Sequence, residues 1–390
     1  MNAVGRLAVA AGALVVLAAS AVSSASTPAL KVVAGDLNNP RKLFVGPNGA
    51  LYVVEAGTGG RDRCLGAGSS RVCVGLSGSI TRLVGGRRER IVTGLWSGAF
   101  PNGQKAQGPA DVIVRRGTYY VLLQDASINP QGMNALGPDG TTAGNLVKTP
   151  AGRAMPAAVF NFAAFEAARN PDHGAGSGAK FGNPPIDSDP YAMTEYRGGF
   201  AVVDAAGNDL LWISPKGKVS VLAVFPTQNV KLSASTAKRI RAAPGMHSIS
   251  VQSVPSSVAV GPDGALYVGE LTGVPFPQGK ARIWRIVPGR KMTLYASGFT
   301  NISDLAFAGK NLLVLEIAAK GLLSSKVPAG ALIRLAPDGR RTVLVSKGLV
   351  EPTGIALGPR SIYISNYGVF PGEGAGPHGQ VISLPASVAS

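Results

Sequence analysis

The chain has 390 residues, 15% of them charged, with 52 Gly, 28 Pro, two Cys and a formal net charge of +17. Such a length can bury two or three domains or one large all-β unit, and Gly and Pro scattered between short apolar runs favour many strands joined by tight turns. The charge predicts attraction to anionic polymers or surfaces, and the lack of an RNP motif or zinc-finger spacing argues against nucleic acid as the partner.

Residues 1–25 hold one early Arg6, an unbroken apolar stretch over 7–19 and small residues before Ala25, the pattern of an export signal peptide. The apolar stretch is shorter than the roughly 20 residues of a spanning helix, and no later segment is apolar for that long. The expected division is a signal peptide over 1–25 and a single domain over 26–390, secreted, monomeric and without a transmembrane segment after cleavage. Disulfides persist outside the cytosol, so Cys64 and Cys73, in the loop GGRDRCLGAGSSRVCVG, are expected to pair and stiffen it. Two thiols with no nearby His fall short of a zinc site.

Beyond an isolated strand over 29–33, the string VGPNGALYVVE (45–55) returns almost unchanged as VGPDGALYVGE (260–270). Each copy begins a longer unit: a Pro-led apolar stretch, a GPxG turn, a strand ending in an acid, a loop, a GxIxRL-like strand, a second turn and a last strand. Looser copies such as GPADVIVRRGTYYVLLQ and NISDLAFAGKNLLVLE fill the gaps, giving six units of four strands. The pattern predicts an all-β, six-bladed β-propeller. The last unit supplies only three strands (352–357, 361–366 and 381–384), so the 29–33 strand is expected to complete it and close the ring. AVFNFAAFEAARNPDHG has the spacing of a short helix over 157–169, ended by Asn170-Pro171.

Strand direction alternates within a blade, so turns after strands one and three share one face and connections after strands two and four share the other. The first set are tight Pro/Asn/Asp/Gly turns. The second set carries the long insertions (56–77, 96–108, 125–144, 152–189, 227–253, 271–279, 318–329 and 367–378), which marks the expected binding face. There the second strands end at Glu55, Leu123 or Gln124, Asp204, Glu270, Glu316 and Asn366. The first strands begin with Arg41, Lys42, Asp111, Ser257, Asp304 and Thr353, the expected ligand-binding set. Glu55 is expected to face Glu270 across the ring, and Asp111 to face Asp304. Carboxylates converging on an axis suit Ca²⁺ or another divalent cation, with Glu55, Asp204, Glu270, Glu316 and Asn366 as candidate ligands. Two other readings stay open: acids at strand ends cap loop N–H groups, and Arg41 with Lys42 can balance the charge without a metal. Asp187 and Asp189 form a second candidate cation contact or an Asx turn before Pro190. His173, His247 and His378 all fall in loops of this face. No GxSxG elbow, Walker motif or dinucleotide fingerprint is present.

The strings NPRKLFVGPNGALYVVEAGTGG with the Cys64 and Cys73 loop, SGSITRLV, GPADV, DSDPY, VPSSVAVGPDGALYVGELTGVPFPQGKARIWRI and GFTNISDLAF, in this order, resemble the ScyD/ScyE family, named for genes of the cyanobacterial scytonemin cluster. The resemblance implies an exported NHL-like six-bladed propeller and no assigned reaction. YYVLLQD departs from it, with no acid at the aligned end of blade two. The expected function is a binding or accessory protein that takes a ligand, a partner or an anionic cell-surface polymer on the loop-rich face. The alternative is a divalent-metal-dependent hydrolase of lactones or esters, by analogy with other propellers.

Overall fold

In the computed structural model, alternating apolar and polar residues form six antiparallel sheets arranged as blades around one axis, a six-bladed β-propeller. The structure describes residues 23–24, 28–61, 63–66, 71–124, 142–175, 186–325, 327–369 and 378–390, so the expected signal peptide lies almost wholly outside it. Blade one comprises Pro40–Val45, Leu51–Glu55, Val72–Val84 and Arg87–Ala99. Blade two comprises Pro109–Arg115, Thr118–Leu123, Asn145–Thr149 and Ala157–Asn161, and blade three Pro190–Tyr196, Gly199–Asp204, Asp209–Ile213 and Val219–Val224. Blade four is Pro255–Val260, Leu266–Glu270, Ala281–Ile286 and Thr293–Phe299; blade five is Ile302–Ala308, Asn311–Glu316, Ala331–Leu335 and Arg341–Val345. Blade six takes Gly354–Leu357, Ser361–Asn366 and Gly379–Pro385 from the C-terminal end and Lys31–Leu37 from the N-terminal end.

The repeated string is one turn written twice. Gly46 N donates to Ala50 O at 2.9 Å and Gly261 N to Ala265 O at 2.8 Å, while Asn48 and Asp263 each accept the amide two residues on at 3.2 Å. Gly49 and Gly264 close the turns at φ 76° and 74°, a conformation that glycine adopts without a Cβ penalty.

Closure follows the expected route. Lys31 lies opposite Ser383 and Val32 opposite Ile382, and the closing strand runs on to Leu37, longer than the apolar pattern suggested. The Thr353 hydroxyl of blade six donates to Pro40 O of blade one at 2.7 Å. Gly354 makes that seam tight, since a Cβ there would lie 2.5 Å from Arg41 O. Apolar side chains fill each space between blades; Val54, Ile80, Val92, Val112, Val121 and Val147 join blades one and two, each buried side chain contributing roughly 1.5–3 kcal/mol.

One expectation needs correction. Residues 157–161 are the outer strand of blade two, pairing with Asn145–Thr149, and the helix covers only Phe162–Arg169. The blade's need for a fourth strand overrides the helical spacing, and Asn161 caps the helix by accepting Ala164 N at 2.8 Å. Within the 227–253 insertion, Gln228–Lys231 pairs with Ser248–Val251, with a helix over Ala234–Arg239 between them. Cys64 and Cys73 are disulfide-bonded across a short ribbon at the edge of blade one. No helix among the described residues is long and apolar enough to cross a membrane.

Candidate functional site

The acids that end the second strands turn into their own blades. Glu55 is fully buried; its carboxylate accepts Asn38 N at 2.7 Å, Arg90 Nη2 at 2.8 Å, Arg90 Nε at 3.1 Å and the Thr81 hydroxyl. Glu270, also fully buried, accepts the Ser253 hydroxyl, Arg282 Nε and Nη2 and Trp284 Nε1, each at 2.8 Å, and Arg282 N at 3.1 Å. Asp204 accepts the Ser188 hydroxyl and the amides of Asp189, Ala206 and Gly207. Glu316 accepts Thr300 N at 2.7 Å, and burial pushes its carboxyl up to about 7. Asn366 accepts Val350 N at 2.7 Å and donates to Gly348 O. In blades one, three, four, five and six the donor comes from the residues just before the inner strand, so the repeated acid or amide fastens each blade's second strand to the chain entering that blade.

This corrects the expected cation ring. The oxygens of Glu55 and Glu270 already face guanidinium, indole, hydroxyl and amide donors. Glu55, Asp204, Glu270, Glu316 and Asn366 therefore do not fit a shared divalent cation. Among the described residues no group of three or more His, Cys, Asp or Glu side chains is placed to hold a metal ion.

The inner-strand residues do converge, but as a buried hub. Lys42 of blade one pairs with Asp304 Oδ1 of blade five at 2.8 Å, donates to Ser303 O, and lies 5.4 Å from the Tyr191 ring centroid of blade three. Asp304 Oδ2 accepts Ile355 N of blade six at 2.8 Å, and Asp111 Oδ2 of blade two accepts Met193 N of blade three at 2.8 Å. Burial pushes both carboxyls up, Asp111 to about 7, and the Asp304 charge adds to the rise at Asp111 while Lys42 counters it at both. Arg41 donates to Gly368 O and Ala106 O; burial lowers its pKa against the opposing pull of Tyr191, Asp189 and Glu351. Arg41, Lys42, Asp111, Ser257, Asp304 and Thr353 are all 7% exposed or less and offer a ligand little surface; all but Ser257, whose hydroxyl has no hydrogen-bond partner among the described residues, tie one blade to another. Tyr191, which the sequence reading did not single out, occupies the strand position of Arg41, one residue after the repeated Pro.

A second acid cluster sits where the 162–175 segment meets blade three. Asp172 accepts Asn208 Nδ2 at 2.9 Å, and a Cβ on Gly207 would lie 3.2 Å from Asp204 Cγ and 3.3 Å from Glu166 Oε2. Glu166 is 3% exposed; Asp209 is 1% exposed and neither carboxylate oxygen has a hydrogen-bond partner among the described residues. Burial, then the neighbouring acids Asp204, Asp172 and Asp187, push Glu166 up to about 8, and burial with the neighbouring Asp204, Glu166 and Asp172 pushes Asp209 well above the carboxylate range. Protonation is how such a group tolerates its site. Of the proposed second cation contact, Asp189 lies near Arg41 and Gln124 and Asp187 near Glu166, so the two serve different neighbours. His173, His247 and His378 are exposed on separate loops.

The loop-rich face carries a cavity of about 380 Å³ that the sequence did not reveal. Lys231 and Arg239 reach it from the 228–251 insertion, Lys280 from the blade-four loop and Lys320 from the blade-five loop. Gln228 Nε2 donates to Lys280 O at 2.9 Å and Arg239 Nη1 to Leu323 O, which fastens the insertion to both neighbouring loops.

No family model matches the sequence, and no curated protein matches it. Among solved structures, the PQQ-bound aldose sugar dehydrogenase of Streptomyces coelicolor is similar, with 12% identity over 93% of this chain and 99% of that one and a TM-score of 0.52. An oxidoreductase of Thermus thermophilus, described as a glucose dehydrogenase, is similar with 15% identity over 92% and 99% and a TM-score of 0.52. At these identities the likeness establishes the propeller fold alone.

Proposed function

We propose that this chain is an exported binding or accessory propeller of the ScyD/ScyE type that takes its ligand on the loop-rich face. The carrying observation is that three separate insertions converge on one cavity there, while the axial residues are buried, with Lys42 paired to Asp304 and Asp111 accepting Met193 N. A hydrolase built on Glu55 and Glu270 finds no support in this geometry, because both carboxylates are committed inside their blades. The net charge of +17 favours an anionic polymer as partner, held in part by long-range attraction.

Retention of the exported chain on immobilised polygalacturonate tests the reading. Retention should fall as salt rises and should disappear when residues 228–251 are replaced by a short turn. Undiminished retention after that replacement would rule out the loop-rich face.

A further inference from the structure

We propose that the cavity formed by the 228–251 insertion and the loops of blades four and five is a subsite for an acidic sugar residue of a carboxylate-bearing glycan. The proposal rests on the binding-face reading above and names the ligand class of that face.

Charge comes first. Lys231, Arg239, Lys280 and Lys320 line the cavity, and the chain feeding it is free of carboxylates. No Asp or Glu occurs between Asp209 and Asp263, between Glu270 and Asp304, or between Glu316 and Asp338. The four cations come from three loops, and no acid within those loops is available to neutralise them. This differs from the axial hub, where Lys42 already has Asp304. Cations gathered without acids in a concave site raise the local concentration of anions.

Shape and chemistry narrow the anion. Phe276, flanked by Pro275 and Pro277, supplies an apolar wall, and Ser233, Thr236 and Ser324 supply hydroxyls. A bare phosphate or sulfate has no use for the aromatic wall. A pyranose ring does, since its C–H face lies against an aromatic ring while its hydroxyls and carboxylate meet the hydroxyl and cationic groups. The volume of about 380 Å³ lies in the range of small-ligand sites. The site is also braced: Gln228 and Arg239 bridge the loops, Asn301 Nδ2 donates to Leu271 O at 2.6 Å, and Asn301 Oδ1 accepts Leu322 N at 3.1 Å. Asn301 therefore holds the blade-four and blade-five loops from beneath, and a braced site loses less freedom when a ligand arrives.

Calorimetric titration of the exported chain with trigalacturonate is the test, with its methyl ester and inorganic polyphosphate as comparison ligands. The acid should bind and the ester should not. Lys280→Gln and Lys320→Gln should each weaken binding about tenfold, as expected for hydrogen bonds to a charged partner, and Phe276→Ala should weaken it while circular dichroism stays unchanged. Lys216→Gln, on a tight turn of the opposite face, should leave it unaltered. Equal affinity for the ester, with Phe276→Ala still weakening it, would overturn the acidic ligand class and leave the binding face standing. Polyphosphate binding as tightly as the uronate would overturn the sugar. Lys216→Gln weakening binding as much as Lys280→Gln would overturn both the cavity and the face.

Discussion

Glu270→Gln separates a capping carboxylate from a metal ligand. In the native structure five donors meet the two oxygens: the Ser253 hydroxyl, Arg282 N, Nε and Nη2, and Trp284 Nε1. A glutamine keeps one acceptor and turns the other position into an NH₂ that confronts donors. It also leaves the Arg282 guanidinium, 15% exposed, without its charge partner. Removing one member of a buried pair costs about 3–5 kcal/mol, and the partial exposure of Arg282 places the expected loss near the lower figure, about 3 kcal/mol. Urea unfolding followed by far-ultraviolet circular dichroism reads it directly, as a lowered midpoint with an unchanged slope. A loss below about 1 kcal/mol, or a calcium-dependent stabilisation of the wild type that the variant lacks, would refute the capping assignment.

Stability should depend on pH with a definite sign. Burial raises Asp111 and Glu316 to about 7 and Glu166 to about 8 in the folded chain. The native state then holds protons that the unfolded chain, titrating near its usual carboxylate range, has released, so this stability is complete below about pH 4 and lost as pH rises toward 7–8. The unfolding midpoint should be higher at about pH 5 than at about pH 8, and Glu166→Gln should flatten the difference; a midpoint that rises steadily over this range would contradict the burial of these acids. Calcium and EDTA should both leave the melting temperature of the wild type unchanged, since a ligand of the native state alone would raise it; a rise with calcium would reinstate a cation site. Thr353→Val removes the donor to Pro40 O at the closing seam and should cost about 1–2 kcal/mol, read by the same urea titration; no change would mean that the contact does not contribute to closure. Reducing Cys64–Cys73, nine residues apart at a blade edge, should expose that ribbon to proteolysis and leave global unfolding nearly unaltered; a collapse of the whole fold would show that the ribbon supports the ring.

The propeller was legible because its turns are spelled out. Pro47-Asn48-Gly49 and Pro262-Asp263-Gly264 force the same reversal between the same kinds of strand, and a missing strand at one end matches a spare strand at the other. The direction of the acidic side chains was not legible. Spacing along the chain puts Glu55 and Glu270 at strand ends, but their partners Thr81, Arg90, Arg282 and Trp284 lie on the third and fourth strands. One signal was available: Arg282 and Trp284 are two residues apart on one strand, so both present to the same face. In blade two, the apolar run over 157–160 passes without a break into a helical pattern, which hid the boundary at Asn161. The basic cavity is assembled from loops of different repeats, and only the acid-free runs 210–262, 271–303 and 317–337 foreshadow it.

Hydrogen–deuterium exchange of the purified protein, with and without trigalacturonate, tests the proposed binding face most directly. Slowed exchange is expected in the 228–240, 273–280 and 320–325 backbones, lining the loop-face cavity, with the inner strands around Arg41 and Lys42 unchanged. Protection centred on those inner strands, or on the tight-turn face around 215–217, would contradict the account.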